Sequence, residues 1–397
     1  MSQAKDVYLD NAATSWPKPA PVLEAIQEFF ANAGGNTGRA GHRRSIAASR
    51  AVSLAREYLA DLLGAETPDY LVYTKNATEA LNLAIYGLAA GGARIVTTSL
   101  EHNSVMRPLR DLETKGRSVE IVHADGNTGA IDLDEWRAAL RAGAPTLAVA
   151  THASNVTGVV LPIAAMAEAA AESGVPFVVD ASQAAGHTPL VLSEMRASAV
   201  AMPGHKGLLG PTGTGLLYLA DGVEVEPLIR GGTGSQSELE VQPDFAPDRY
   251  ESGTLNAIGV VGLGAAAKYL AEVGIDRVEA RLHELGRRFL DGLAPIEGLT
   301  LYGPADPSGS VGILSLNVDG IPCATVSRLI DDEWGVMTRA GLHCSPAAHR
   351  SLGTAPEGTV RFSWGHDTSD AHIDTAIEAL RTVAERGRSV EHAQALA

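Results

Sequence analysis

The 397-residue chain predicts an α/β fold, with a mostly parallel sheet covered on both faces and a smaller α+β domain after it. Three observations carry this expectation. Short runs rich in Val, Ile and Tyr alternate with helix-like stretches through the first 220 residues. Polar clusters follow nearly every run, where the carboxyl ends of parallel strands would gather a ligand site. Past about residue 220 the alternation gives way to long helices separated by isolated strand-like runs.

Taken in order, helix-like Ile46–Leu63 precedes the first run. The runs are Tyr70–Thr74, Arg94–Thr98, Ser118–Val122, Thr146–Ala150, Pro176–Asp180, Ser198–Met202 and Gly215–Leu219, which predict a seven-stranded sheet. Ile163–Ser173 is one of the helices between them. Gly231–Gln242 is a Gly/Ser/Gln-rich loop that Pro243–Pro247 continues. A helical stretch spans Asn256 to about Leu293, with a break at Gly274. Strand-like Val311–Val318, a helix near Ala324–Trp334, strand-like Thr359–Trp364 and a helix from Ser369 to about Arg386 complete the second domain.

Apolar residues make up 45% of the chain and charged residues 20%, and the mean hydropathy of +0.03 is that of a soluble globular protein. The nearest approach to a membrane span, the Ala/Gly-rich run Ala257–Ala267, is ended by Lys268. Met1–Asn11 carries Lys5, Asp6 and Asp10 and has no apolar core, so no secretory signal is expected. A net charge of −16 argues against nucleic acid and anionic membranes as partners. Two cysteines, Cys323 and Cys344, cannot build a disulfide framework, so a reducing cytoplasm is the expected location. The histidines include no HExxH, and Cys344 with His343 and His349 lacks a partner set for zinc, so no metal is expected.

The strongest chemical signal is Asp180-x-x-Gln183 followed, two strand ends later, by His205-Lys206. A lysine at the end of a buried strand has its pKa lowered, and a neutral amine can form a Schiff base. An acid on the neighbouring strand could keep a pyridinium nitrogen positive and make the ring an electron sink. Taken singly, Asp180 reads as a helix cap and Lys206 as a solvated turn residue; jointly they read as a site.

Val179-Asp180-Ala181-Ser182-Gln183-Ala184 and Pro203-Gly204-His205-Lys206-Gly207-Leu208-Leu209-Gly210-Pro211 resemble the pyridoxal phosphate site of class V aminotransferases. The resemblance covers nearly the whole chain, from Leu9-Asp10-Asn11-Ala12-Ala13-Thr14 to Arg339-Ala340-Gly341-Leu342-His343-Cys344 and Gly358-Thr359-Val360-Arg361. Within the class it is to the cysteine desulfurase and selenocysteine lyase branch. It implies a fold-type I pyridoxal phosphate-dependent transferase. Residues 18–260 would form the large cofactor domain, and residues 1–17 and 261–397 the small domain carrying Cys344.

The resemblance also implies roles. Lys206 would bind the cofactor covalently and move protons at the substrate Cα. Asp180 would meet the ring nitrogen, Gln183 and Asn155 the ring hydroxyl, and His102 the ring face. Ala77, Thr78 and His205 would meet the phosphate, the first two where Asn76–Glu79 enters a helix, which suits a dianion and is also an ordinary N-cap. Thr254 would reach the phosphate of a second subunit, which implies a homodimer with shared sites. Relatives usually carry Ser or Thr where this chain has Pro203, which offers neither hydroxyl nor N–H, so one phosphate contact should be missing or replaced.

Cys344 would take the sulfur of L-cysteine as a persulfide and leave alanine, with a thiol or partner protein as final acceptor. His343 and Arg339, also placed at the substrate, would raise its thiolate fraction. Arg361 would clamp the substrate carboxylate, Asn155 would lie close by, and Cys323 reads as packing. A C–S lyase or selenocysteine lyase that releases sulfide or selenide is the alternative on the same cofactor. A non-catalytic sulfur-carrier subunit is the alternative without catalysis.

Overall fold

A computed structural model describes residues 6–38, 41–89, 94–236, 238 and 240–395; the first five residues of the segment 1–17 lie outside it. The chain opens with β1 (Val7–Tyr8), α1 (Ala20–Asn32) and α2 (Arg43–Leu63). It then alternates through β2 (Leu71–Thr74), α3 (Ala77–Leu88), β3 (Arg94–Thr98), α4 (Asn103–Thr114), β4 (Ser118–Val122) and α5 (Leu133–Arg141). β5 (Leu147–Thr151), α6 (Ile163–Glu172), β6 (Phe177–Asp180), β7 (Ala199–Pro203) and β8 (Gly215–Leu219) follow. The remainder is α7 (Ala257–Val273), α8 (Ile275–Leu293), β9 (Leu299–Tyr302), β10 (Ile313–Val318) and α9 (Cys323–Trp334). Then come β11 (Val336–Met337), β12 (Arg339–Gly341), α10 (Pro346–Ser351), β13 (Thr359–Ser363) and α11 (Asp370–Ala395).

The seven expected runs form one seven-stranded sheet in the order β2-β8-β7-β6-β5-β3-β4. From β4 to β7 every neighbouring pair is parallel, and β8 runs antiparallel to both β2 and β7. The exception has a chain-length reason. Residues 204–214 join β7 to β8 without a helix, and a parallel return needs a crossover of about a dozen residues or more, usually helical. That helix-free connection carries Lys206. Every residue of β5, β6, β7 and β8 is buried, which is why these strands read as unbroken apolar runs. β4, at the edge, alternates exposed and part-buried positions instead.

A second sheet, β12-β13-β10-β9, is antiparallel, and β1 pairs in parallel with β11 beside it. The N-terminal strand therefore belongs spatially with the last third of the chain. Phe289 on α8 stacks edge-on against Phe362 and Trp364, and this aromatic knot ties α8 to β13. The expected break at Gly274 is real: α7 and α8 meet at 76°, and Gly274 has a φ of 86° that side chains avoid. α7 packs on α1 and α2, whereas α8 turns away to pack on α11. Among the described residues no single helix is long and apolar enough to cross a membrane.

Some bounds and one element differ from expectation: α2 begins at Arg43 and not at Ile46, and α11 runs to Ala395 and not to about Arg386. β10 starts at Ile313 and not at Val311, because Gly312 adopts a φ of 75°. β9 was not anticipated: it is a half-exposed outer strand whose four residues include no fully buried side chain to mark it.

Candidate active site

The carboxyl ends of β5, β6 and β7, the N-termini of α3 and α4, and strands β12 and β13 enclose a cleft of about 210 Å³. Lys206 stands in it on the turn that leaves β7. The turn is packed too closely for side chains: a Cβ on Gly207 would lie 2.3 Å from the Ala185 carbonyl oxygen. One on Gly204 would lie 2.1 Å from Thr214 Oγ1. Burial lowers the Lys206 pKa to about 8, against the opposing pull of Asp180. The amine is thus poised near neutrality.

Asp180 ends β6 and is buried, with Oδ1 accepting from the Ser182 amide at 2.9 Å. Gln183 Nε2 donates to the Ala12 carbonyl at 3.1 Å, while its Oε1 is buried and unpartnered. His102 caps α4 by accepting from the Ser104 amide at 3.0 Å, which fixes its ring at the cleft. Burial and the neighbouring Lys206 push its pKa down to about 4, so the ring is neutral.

Behind these groups lies a residue that the motif reading passed over. Glu101 is wholly buried, and Oε1 accepts from Thr98 Oγ1 (2.6 Å) and the Thr151 amide (2.9 Å). It therefore links the ends of β3 and β5, and Thr151 pairs with Asp180 on the next strand. Burial raises its pKa to about 8, with the charge of Asp180 adding to the shift. Near neutral pH it is mostly a protonated acid, and Asp180 is the carboxyl group that lines the cleft. Its place directly after a buried strand was the available signal.

Ala77 and Thr78 form the first turn of α3, capped by Asn76, whose Oδ1 accepts from the Glu79 amide at 2.9 Å. Glu79 returns the contact to the Lys75 amide at 2.6 Å. This reciprocal cap leaves the amides of Ala77 and Thr78, which no helical carbonyl can serve, facing the cleft. His205 lines the same end; its ring is neutral, its pKa pushed down to about 4 by burial and then by Lys206, and its Nδ1 is unpartnered. Pro203 lines the cleft beside them and supplies no donor.

Arg361 is 1% exposed on β13. Its Nη2 donates to Asp10 Oδ1 at 2.7 Å and its Nη1 to the Asn155 carbonyl at 3.1 Å, while Nε is buried and free of partners. A substrate carboxylate would meet a guanidinium already held by two groups. Arg339 lies directly across from it on β12. Asn155, expected beside a ring hydroxyl, lines the cleft, and its side chain is held by two bonds. Nδ2 donates to the His343 carbonyl (2.7 Å) and Oδ1 accepts from Ser345 Oγ (2.7 Å), so it pins both flanks of Cys344. The Asn103 amide pins Cys344 itself, donating to its carbonyl at 2.8 Å.

Cys344 is exposed, and Arg339 Nη2 sits 3.5 Å from its Sγ. His343 does not supply the second cation expected there. Its ring is buried, with Nε2 3.1 Å from Thr359 Oγ1, and burial followed by Arg361 pushes its pKa far down. Cys323 is buried, with Sγ donating to the Glu357 carbonyl at 3.3 Å. Thr254 does not line this cleft; it is exposed beside a separate depression of about 800 Å³ between α2 and the 232–255 loops.

A covered parallel sheet, a lysine on the turn after β7 and an acid ending β6 define a fold-type I α/β enzyme. The chain belongs to the class-V aminotransferase family, whose pattern matches residues 7–375. It is similar to a probable cysteine desulfurase of Methanothermobacter thermautotrophicus, with 35% identity over 96% of this chain and 95% of the relative. Among solved structures it resembles the apo cysteine desulfurase of Thermococcus onnurineus, with a TM-score of 0.88, 33% identity, and coverage of 95% and 94% of the two chains. It also resembles an Escherichia coli cysteine desulfurase determined in an S-sulfonic acid form, with a TM-score of 0.83, 28% identity, and coverage of 97% and 95%.

The family implies pyridoxal phosphate, and the residues present fit it. Lys206, Arg339 and Arg361 give the cleft three cations in a chain of net charge −16. The open amides of α3 suit a phosphate, Asp180 suits a protonated ring nitrogen, and the orphaned Gln183 Oε1 awaits a donor.

Proposed function

We propose that the protein is a pyridoxal phosphate-dependent cysteine desulfurase that converts L-cysteine to L-alanine and receives the sulfur on Cys344. The observation that carries this reading is an exposed Cys344 with its Sγ 3.5 Å from Arg339, a residue that lines the same cleft as Lys206.

When bound, pyridoxal phosphate supplies an aldehyde that captures amines and a ring that withdraws electrons from the substrate Cα. The α3 amides and His205 would hold its phosphate, Asp180 would pair with its ring nitrogen, and the neutral His102 would lie against its ring. Lys206, poised by its lowered pKa, removes the Cα proton of L-cysteine and later returns one. Arg361 orients the substrate carboxylate. Cys344 attacks as the thiolate: an S–S bond forms on Cys344, the substrate Cβ–S bond breaks, and Cβ gains a proton to become the methyl of alanine. The persulfide sits at an exposed position, where a thiol or a partner protein can collect it.

We further propose a homodimer in which Thr254 completes the partner's phosphate site. Thr254 does not line its own cleft but borders a neighbouring depression with Thr74, Lys75 and Glu79, beside the start of α3, and the adjoining loop exposes Leu228, Ile229, Val241 and Phe245, which suits a covered face. A cytoplasmic location agrees with two unpaired cysteines.

The deciding experiment is a single turnover of Cys344→Ser with L-cysteine. Loss of alanine with the visible absorption of bound cofactor intact supports the desulfurase. Sulfide and pyruvate at the unsubstituted rate would make the protein a β-eliminating lyase. Absence of cofactor absorption in the unsubstituted protein would leave a sulfur-carrier subunit.

A further inference from the structure

The segment Thr14–Lys18 belongs to neither sheet, yet its polar atoms converge on two backbone carbonyls. The Ser15 amide (3.1 Å), Thr14 Oγ1 (3.1 Å), Ser15 Oγ (3.2 Å) and Lys18 Nζ (2.7 Å) all reach the carbonyl oxygen of His205. Ser15 Oγ also lies 3.0 Å from the Lys206 carbonyl, and Lys18 Nζ donates to Ser15 Oγ at 2.7 Å. A carbonyl oxygen has two lone pairs, so this crowd of donors exceeds what satisfying one loop carbonyl requires.

Lys18 makes the arrangement more unusual. It is half-buried, burial lowers its pKa to about 8, and among the described residues no carboxylate pairs with it. Desolvating an unpaired ammonium is unfavourable, and the fold tolerates it at one particular carbonyl. That carbonyl shares a rigid peptide plane with the Lys206 amide, so whatever holds the oxygen sets the direction in which the Lys206 side chain leaves the backbone. The opposite side of the turn is fixed by the close approach of Gly207 to the Ala185 carbonyl.

We propose that Lys18 is a positioning residue for Lys206, clamping the His205–Lys206 peptide together with Ser15 so that the amine meets the cofactor aldehyde in one orientation. The inference rests on the reading of Lys206 as the cofactor lysine.

The test strips cofactor from the holoenzyme and follows, by stopped-flow absorbance, the visible band that appears when Lys206 captures an aldehyde. Pyridoxal phosphate and phosphate-free pyridoxal are compared on the unsubstituted protein, Lys18→Met, Lys18→Arg and Ser15→Ala. Loss of one charge-assisted hydrogen bond should slow capture about 10-fold in Lys18→Met, equally for both aldehydes. Ser15→Ala should slow it less, and the two substitutions together should fall short of additivity because they share one oxygen. Lys18→Arg, which keeps charge and donors, should recover most of the rate. A structural role alone would lower the melting temperature and leave capture by the folded fraction unchanged, which would overturn the proposal. Slowing with pyridoxal phosphate only would also overturn it, and would reassign the ammonium to the phosphate. If Lys18→Met does not fold, Ser15→Ala and its pyridoxal rate decide alone. No band in the unsubstituted protein would instead refute the cofactor reading beneath it.

Discussion

Replacing Asn155 by Ala should unpin the Cys344 loop while leaving the cofactor cradle in place. His343 and Cys344 have φ values of 48° and 61°, left-handed conformations that cost side-chain-bearing residues about 1–2 kcal/mol each. The loop therefore stores about 2–4 kcal/mol of backbone strain. Against it stand the two side-chain bonds of Asn155, at 2.7 Å each. Each contributes about 0.5–1.5 kcal/mol, and losing them leaves a buried carbonyl and a buried hydroxyl at about 1–3 kcal/mol apiece. The restraint and the strain are of the same size, so its removal lets the backbone at His343 and Cys344 relax away from the cleft. The bond from Arg361 to the Asn155 main-chain carbonyl survives the substitution, so the carboxylate site is retained. Alanine formation in a single turnover should fall 10- to 100-fold, equivalent to about 1.4–2.8 kcal/mol in the barrier. The alkylation rate of Cys344 by iodoacetamide should change with it, and the visible absorption of bound cofactor should not. Unchanged turnover and alkylation would show that the left-handed loop holds itself, and the argument from strain would fail.

Three further outcomes are expected. Glu101 has a folded pKa near 8, above its unfolded value of 4.5, so the folded state binds the extra proton between those values and stability contributed by this residue falls as pH rises through that window. Glu101→Gln should remove that fall, so its melting temperature relative to the unsubstituted protein should rise from pH 5 to pH 8; a constant difference would place an ionised carboxylate at this site. Pro203→Ser restores a hydroxyl to the phosphate end of the cleft, and cofactor loss on dialysis should slow about 5-fold, the scale of one hydrogen bond of about 1 kcal/mol. Equal or faster loss would mean that the hydroxyl finds no partner. Lys206→Ala and Thr254→Ala are each expected to be inactive, and mixing the two under dissociating conditions should restore desulfuration, because one site in each mixed dimer keeps both residues; no recovery would count against shared sites.

Most of the central sheet could be read from the chain because its strands are buried on both faces and so appear as uninterrupted apolar runs. The outer strands β9, β11 and β12 could not, since two to four residues with few fully buried side chains leave no period to detect. The chemistry divides in the same way. Lys206, Asp180, His102 and the start of α3 stand at strand and helix ends, where local pattern predicts both position and exposure to the cleft. Asp10 with Arg361, and Lys18 with His205, join residues 351 and 187 positions apart, and no spacing rule reaches that far. His343 illustrates why adjacency misleads. Its neighbour in sequence is the exposed thiol, yet a left-handed turn places consecutive side chains on different sides, and the imidazole is spent on Thr359 in the interior. The positive charge beside Cys344 comes from Arg339, on a strand that pairs with the one bearing Arg361. One short β ladder thus carries both Arg361 and Arg339, the cations that the proposed mechanism assigns to the substrate carboxylate and to Cys344. Sliding β12 by a single residue against β13 would turn Arg339 to the other face, and the thiol would lose its charged neighbour while the carboxylate kept its own.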